Sequence, residues 1–135
     1  MPQQLFLPGI ILPSRPAEPR DARNALAAYP DMSTEDLCRH AKLLGHSAEL
    51  VVASILMRLG ERDYPALEYE RHDRVLFLPG DTPLRIQVKT RHTRTPTGDY
   101  VYNLRQRSER GATGRGPYSA EDFDILAMVA LPEMA

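Results

Sequence analysis

Two carboxylates, an amide and an ammonium stand at positions where a folded chain could gather them. Glu49 lies within a long helical pattern, on or beside its apolar stripe, and a carboxylate there needs a cation or hydrogen-bond donors. Asp73 precedes a predicted strand, and Gln87 and Lys89 lie two apart on the next strand, so their side chains share a face. A hairpin would bring Asp73 to that strand, and a helix packed on the sheet would bring Glu49.

Oxygen ligands of this kind suit a hard divalent cation. We therefore expect Glu49, Asp73 and Gln87 to hold Mg²⁺, with Mn²⁺ as an alternative, and the ion to keep several of its waters. Such an ion polarises a phosphate ester and lowers the pKa of bound water. Lys89 would orient the attacking water or neutralise the phosphate with its compact charge. The four residues together predict hydrolysis of a phosphodiester.

A long helix must carry Glu49. Ser33 is a suitable N-cap, Met32 can pack against Leu37, and the apolar pattern continues to Leu59. Gly60 predicts the end of the helix. Gly45 could kink the stretch, which leaves one helix or two.

Strands must carry the other three residues, and the pattern changes to strand periodicity after Gly60. The sequence predicts a short strand over 66–70, a hairpin of strands 75–78 and 84–89 joined by a turn over 79–83, and a strand over 100–104. The nearly all-apolar stretch 123–131 predicts a central strand covered on both faces. The fold class expected is α/β or α+β, with one long N-terminal helix packed on a mixed central sheet.

The N-terminal segment has a different composition. Residues 1–31 hold six of the twelve prolines, which predicts an extended arm over residues 1–32, followed by a single domain over 33–135. Its apolar pieces at 5–7 and 10–12 could dock on a neighbour or on the chain's own core. Residues 21–29 could form a short helix ending before Pro30.

Charge is unevenly distributed along the chain. The net charge is −1, yet residues 85–115 carry +6 and the remainder −7. This asymmetry predicts one basic face that meets a nucleic-acid backbone, although a solvated arginine-rich loop would give the same pattern. The residues expected to contact DNA are Arg91, Arg94, Arg105 and Arg107.

Composition also indicates the cellular compartment in which the protein is expected. The one cysteine, Cys38, excludes an intrachain disulfide and a cysteine-based zinc site. No apolar run reaches the roughly 18 residues of a membrane helix. The N-terminal apolar stretch is interrupted by prolines and lacks a basic flank, so we expect no secretory signal and no membrane partner. A cytoplasmic location is the expectation.

The order and spacing of the motifs resemble the PD-(D/E)XK nuclease superfamily, in the branch with Gln in place of the second acid. The resemblance covers roughly residues 43–131, and the matching stretches are Gly45-His46-Ser47-Ala48-Glu49-Leu50-Val51-Val52, His72-Asp73-Arg74-Val75-Leu76, Ile86-Gln87-Val88-Lys89-Thr90 and Asp122-Phe123-Asp124-Ile125-Leu126-Ala127. The sequence also looks similar to small bacterial endonucleases, to an intron-encoded homing-endonuclease group and to archaeal Holliday-junction resolvases.

The resemblance implies a restriction-endonuclease-like core, a divalent metal, DNA cleavage and often a homodimer or higher homo-oligomer. It implies that Asp73 is the principal metal ligand, Glu49 the helix acid, Gln87 a ligand of reduced charge and Lys89 the catalytic lysine. Two departures are His72 in place of the motif's proline, and Arg74 where an apolar residue is usual.

Other interpretations of the same residues stay open. Glu49 alone would be an ordinary helix residue, and Asp73 alone a strand cap. Asp81 is a rival for Asp73, but its place in the Pro79-Gly80-Asp81 turn favours a turn role. The fold could also serve, without catalysis, as a DNA-binding or assembly module, or as an oligomeric interaction protein.

Overall fold

A mixed four-stranded sheet with helices before it forms the core of the computed structural model, which describes residues 25–104 and 118–134. The elements are α1 Thr34–Arg39, α2 Ala41–Arg58, β1 Arg62–Pro65, β2 Arg74–Phe77, β3 Pro83–Arg91, β4 Ile125–Ala130 and a final 3-10 turn, Leu131–Met134. The strand order is β1-β2-β3-β4, with β1–β2 and β2–β3 antiparallel and β3–β4 parallel. The predicted mixed α+β architecture and the β2–β3 hairpin are confirmed.

The single long N-terminal helix is not seen, because the helical stretch is divided into α1 and α2. Ser33 does cap α1, accepting a hydrogen bond from the Asp36 backbone N–H at 3.1 Å. The break falls at His40, whose φ and ψ are −103° and 12°, and not at Gly45, which lies inside α2. Apolar residues continue at helical spacing across His40, so the sequence pattern could not mark the break. Leu59 and Gly60, with φ +77°, end α2 as predicted.

The first strand lies earlier than predicted. It occupies Arg62–Pro65, and residues 66–70 form a turn that begins with a hydrogen bond from Ala66 N–H to the Asp73 carbonyl at 2.9 Å. Glu70 N–H closes this turn on the Leu67 carbonyl at 3.0 Å. The prediction failed because β1 has no apolar alternation and depends on pairing with β2.

The predicted strand over 100–104 does not form. Residues 100–104 pair with no strand among the described residues, and polar alternation without a pairing partner does not make a stable strand. Tyr100 instead donates a hydrogen bond from its hydroxyl to Glu133 at 2.8 Å, across to the final 3-10 turn.

The prediction of a central strand over 123–131 is also wrong. In the described ranges β4 pairs only with β3, and its Met128 side chain is 59% exposed while Val129 is buried. Its apolar sequence reflects an uncovered apolar surface on one face rather than cover on both.

The core lies between α2 and the sheet. Its buried residues are Leu37, Leu44, Ala48, Leu76, Ile86, Val88, Val129 and Leu131. Ala48 on α2 is completely buried, which lets the helix approach β3 closely. Residue Glu49, beside Ala48, is thereby brought to the border of the core.

A buried ion pair explains why Arg74 stands where the resembling family often has an apolar residue. Arg74 on β2 is paired with Ile86, so both face the helix side of the sheet. Its guanidinium makes hydrogen bonds of 2.6 to 2.9 Å to both carboxylate oxygens of Asp63 on β1. The Asp63 side chain is 1% exposed. A bidentate, fully paired arginine can therefore occupy a core position.

Asp81 has the turn role that its position predicts, and Asp124 has a structural role at the start of two strands. Asp81 lies in the β2–β3 turn with φ +61° and pairs with Arg62 at 2.8 Å. Asp124 joins the starts of β3 and β4, accepting hydrogen bonds from the backbone N–H and the side chain of Arg85 at 2.8 and 3.1 Å. These bonds lower the pKa of Asp124 to about 2.

Membrane-spanning character is not found: no helix in residues 25–104 and 118–134 is long and apolar enough to cross a bilayer. Most of the predicted N-terminal arm, including the apolar pieces, lies outside the described residues, as do Arg105, Arg107 and the rest of 105–117. The division into an arm and a domain stays a prediction. Of the helix predicted over 21–29, residues 25–29 are described: 25–27 are helical, and 28–29 form a turn.

Candidate active site

Asp73 is fixed at the start of the hairpin by its own backbone. Its N–H donates to the Ile86 carbonyl and its carbonyl accepts from Ala66 N–H, both at 2.9 Å. The side chain then reaches β3, where Oδ2 accepts hydrogen bonds from Gln87 Nε2 at 2.6 Å and from Val88 N–H at 2.7 Å. Within residues 25–104 and 118–134, the other carboxylate oxygen, Oδ1, receives no hydrogen bond.

The electrostatics of Asp73 show which other groups are near it. Burial raises the pKa of Asp73 above its ordinary value of 3.8, opposed in part by the hydrogen bond from Val88. The negative charge of Glu49 raises the pKa further, whereas Lys89 and His72 lower it. Glu49 and Lys89 thus lie within electrostatic reach of Asp73, and two carboxylates share one locality.

Glu49 comes from the middle of α2. The side chain is 27% exposed, and its Oε2 lies 3.0 Å from Nδ1 of His46, one turn earlier on the same helix. This contact turns the carboxylate along the helix surface. His46 is itself exposed and orients Glu49.

Gln87 and Lys89 share one face of β3, as their spacing predicts. Gln87 is 5% exposed, and its Nε2 donates both to Asp73 and to the Val88 carbonyl, the latter at 3.1 Å. Lys89 donates from Nζ to the hydroxyl of Tyr118 at 2.9 Å. Asp73 before β2 and Gln87 on β3 are therefore in direct contact, and the charges of Glu49 on α2 and Lys89 on β3 act on this pair.

The donor set can be tested against the cation that the sequence predicts. Two carboxylates and one amide are oxygen donors that fit Mg²⁺, which binds few protein ligands and keeps water. Across the described residues, no three His, Cys, Asp or Glu side chains are grouped to hold a metal, so a site here depends on Gln87 as the third ligand. Gln87 donates a hydrogen bond from Nε2 to Asp73. For Oε1 of Gln87 to hold a cation, the amide must therefore rotate, and a bound cation would favour that rotation.

The four arginines predicted to contact DNA differ in their structural environments. Arg91 is exposed at the end of β3, two residues from Lys89. Arg94 is engaged instead: it pairs with Glu133, donates to the Gly98 carbonyl at 2.8 Å and lies 4.9 Å from the centre of the Tyr100 ring. Arg105 and Arg107 lie outside the described residues.

Sequence reasoning missed a cluster that adjoins Lys89. Tyr118 contacts Lys89, and Arg71 lies 5.8 Å from the centre of the Tyr118 ring. Arg71 also pairs at 3.1 Å with Asp122, which is 9% exposed. No spacing rule joins these residues, because Tyr118 is 29 positions from Lys89 and 47 from Arg71. The parallel pairing of β3 with β4 brings the segment before β4 alongside β3.

Comparison with known proteins gives one structural similarity to report. The chain is similar to the solved structure of a bacterial homing endonuclease, I-Ssp6803I, with 27% sequence identity and a TM-score of 0.54. The match covers 67% of this chain and 64% of that chain, so this chain matches less than two thirds of the endonuclease's length. The similarity supports a nuclease fold.

Other comparisons give no match. No family model matches the chain, and no curated protein matches it.

Proposed function

We propose that this protein is an endonuclease that hydrolyses phosphodiester bonds of DNA with the help of a divalent cation, Mg²⁺ or Mn²⁺. One observation carries the proposal: the part-buried carboxylate of Asp73 accepts a hydrogen bond from Gln87, and the charges of Glu49 and Lys89 both shift its pKa. The similarity to a bacterial homing endonuclease, at 27% identity, supports the same activity. The PD-(D/E)XK superfamily is the proposed family.

The four residues have distinct proposed roles. Asp73 and Glu49 supply the negative charge that holds the cation, and Gln87 completes the set through its amide oxygen. When bound, the cation would polarise the scissile phosphate and lower the pKa of a water. The Lys89 ammonium neutralises charge on the phosphate and orients the attacking water by hydrogen bonds. Gln87 also holds Asp73 in place before a cation binds.

The proposed DNA contacts are sequence-independent. Arg91 extends the positive charge from Lys89 along β3, and the segment 85–115 carries an excess of six positive charges. Positively charged side chains of this kind bind the phosphate backbone, and the resulting affinity for DNA falls as the salt concentration rises. Arg94 is a weaker candidate than the sequence indicates, because Glu133 already neutralises it.

A direct assay tests the proposal. The purified protein is incubated with supercoiled plasmid and with four-way junctions, with Mg²⁺, with Mn²⁺ and with a chelator. We expect cleavage with either cation and none with the chelator, and restored cleavage when the cation is added back. Cleavage that persists in the chelator would refute the cation dependence, and absence of cleavage on every DNA form would refute the nuclease.

A second candidate function rests on the missing third acid. With two carboxylates and an amide that now donates to Asp73, the site could bind a cation weakly, and the fold could act as a DNA-binding or assembly module. This module would bind DNA with strong salt dependence and cleave none. The plasmid assay, run beside a filter-binding assay on the same DNA, separates the two functions.

Assembly into a homodimer is also proposed. Apolar side chains on α2 and β4 are exposed, among them Leu50, Ile55 and Met128. An uncovered apolar surface of this kind is typical of a protein–protein contact. We expect light scattering to give about twice the chain mass of 15.2 kDa, and a mass equal to one chain at micromolar concentration would contradict the dimer.

A further inference from the structure

Lys89 has a direct protein partner that the proposed chemistry does not use. Its Nζ donates to the Tyr118 hydroxyl at 2.9 Å and lies 4.7 Å from the centre of the same ring. A lysine ammonium has three donors on a long, freely rotating stem. One hydrogen bond to a fixed oxygen therefore restricts where the remaining two donors can point.

Tyr118 is itself held in place on several sides. Its ring meets Phe123 edge-on, with centres 5.3 Å apart and planes at 74°. The guanidinium of Arg71 lies 5.8 Å from the ring centre and is anchored by Asp122 at 3.1 Å. Asp122 also accepts a hydrogen bond from the backbone N–H of Ser119 at 2.6 Å, which fixes the backbone next to Tyr118. The hydroxyl is thus a fixed reference point for Lys89.

We propose that Tyr118 is a positioning residue for Lys89. Its hydroxyl oxygen accepts a hydrogen bond from one N–H of the Lys89 ammonium. The other two N–H groups stay available for a phosphate oxygen and the attacking water. Tyr118 also keeps its own hydroxyl proton, which is free to bond a second phosphate oxygen. This inference rests on the proposed nuclease function for its consequence in catalysis, but the contact between Tyr118 and Lys89 can be tested without any activity.

Catalysis gives the first test. Tyr118→Phe removes the hydroxyl and keeps the ring against Phe123, so we expect a kcat lower by about 10- to 100-fold with little change in KM or in thermal stability. Tyr64→Phe is the matched control, because Tyr64 also packs edge-on against a phenylalanine, Phe77 at 5.8 Å, on a strand two away from Lys89. This control should cleave at the wild-type rate.

Nitrogen NMR of the lysine ammonium groups gives the second test, and the sequence makes it simple. Lys42 and Lys89 are the two lysines of the chain, and Lys42 is 96% exposed. In wild type we expect the Lys89 Nζ protons to exchange more slowly with water than those of Lys42. Tyr118→Phe should speed exchange at Lys89 and leave Lys42 unchanged, whereas Tyr64→Phe should change neither.

The outcomes of the two tests distinguish an error in the positioning role from an error in the proposed nuclease function. If wild type cleaves DNA and Tyr118→Phe cleaves equally fast, the positioning role is wrong and the nuclease stands. If wild type cleaves nothing, the nuclease and the catalytic consequence of Tyr118 are both wrong, whereas faster proton exchange at Lys89 in Tyr118→Phe would still show that Tyr118 positions Lys89. Equal proton exchange at the two lysines of the wild-type protein would overturn the contact itself.

Discussion

Replacement of Lys89 by alanine should reduce DNA cleavage by about 10²- to 10³-fold, with the fold preserved. The ammonium is the positive group on β3 whose charge reaches Asp73, and it is the proposed donor to the phosphate and the water. Its loss removes stabilisation made in the transition state, so kcat should fall far more than substrate affinity. Single-turnover cleavage of plasmid, with circular dichroism of the same samples, measures both parts of the prediction.

The second lysine of the chain supplies the control. Lys42→Ala makes the same change in net charge and side-chain volume, but Lys42 is 96% exposed on α2 and forms a weak pair with Glu68 at 3.5 Å. An effect of net charge on DNA affinity would appear in both variants, and an effect on chemistry in Lys89→Ala alone. Lys89→Arg should also be impaired, since a planar guanidinium does not replace a compact ammonium. Equal cleavage by Lys89→Ala and Lys42→Ala would rule out a catalytic lysine at this position.

The hairpin could be predicted from the sequence because its information is local. Residues 84–89 alternate in polarity, a turn cluster precedes them, and residues 75–78 are apolar, so pairing and face follow from strand geometry. The juxtaposition of Asp73 with Gln87 then follows from the register, which pairs Arg74 with Ile86. The structure accordingly brings the Gln87 amide within hydrogen-bond distance of the Asp73 carboxylate.

Strand β1 was missed because its stability comes from a distant residue. The sequence Arg62-Asp63-Tyr64-Pro65 carries no strand alternation, and Asp63 would be placed in a loop by composition. It lies in a strand because its buried carboxylate pairs with Arg74 on β2. The same pair explains the departure at Arg74, which looks like a misplaced charge when the segment around Asp73 is considered alone.

Tyr118 shows a different limit of sequence reasoning. Its role depends on Lys89 and Arg71, which lie far from it along the chain, and on the parallel pairing of β3 with β4. A lone tyrosine has no pattern that distinguishes a base-stacking, core or positioning residue. The sequence could therefore locate the groups proposed to act on phosphate, but not the group proposed to orient Lys89.

The conflict between stability and function in this site is concentrated at Asp73. Burial raises its pKa, so the folded protein binds a proton there more readily than the unfolded chain does. Stability is therefore lost as the pH rises from the ordinary pKa of 3.8 through the raised value, and the loss persists at neutral pH. The negative charge of Glu49 adds to this cost, and the proposed cation would offset it by neutralising Asp73.

Asp73→Asn is accordingly expected to abolish cleavage and to make the cation-free protein more stable at neutral pH. The asparagine carbonyl can still accept from Val88 and Gln87, so the hydrogen bonds survive while the unfavourable charge is removed. In wild type, Mg²⁺ at about 100 times its Kd should add about 2.7 kcal/mol of stability. This gain should vanish in Asp73→Asn. Urea unfolding with and without Mg²⁺, at neutral pH and near pH 4, measures these effects.

Asp81→Asn is the matched control, since it makes the same chemical change at an exposed aspartate in the β2–β3 turn. Asparagine tolerates the φ of +61° found there, so this variant loses only the surface pair with Arg62. It should keep both cleavage and the stabilisation by Mg²⁺. The advantage of Asp73→Asn over wild type should shrink as the pH falls toward 4, because burial raises the pKa of Asp73 and the folded carboxyl takes up a proton more readily than the unfolded one. If Mg²⁺ stabilised Asp73→Asn as much as wild type, the cation would bind elsewhere, and the candidate site would lose its principal ligand.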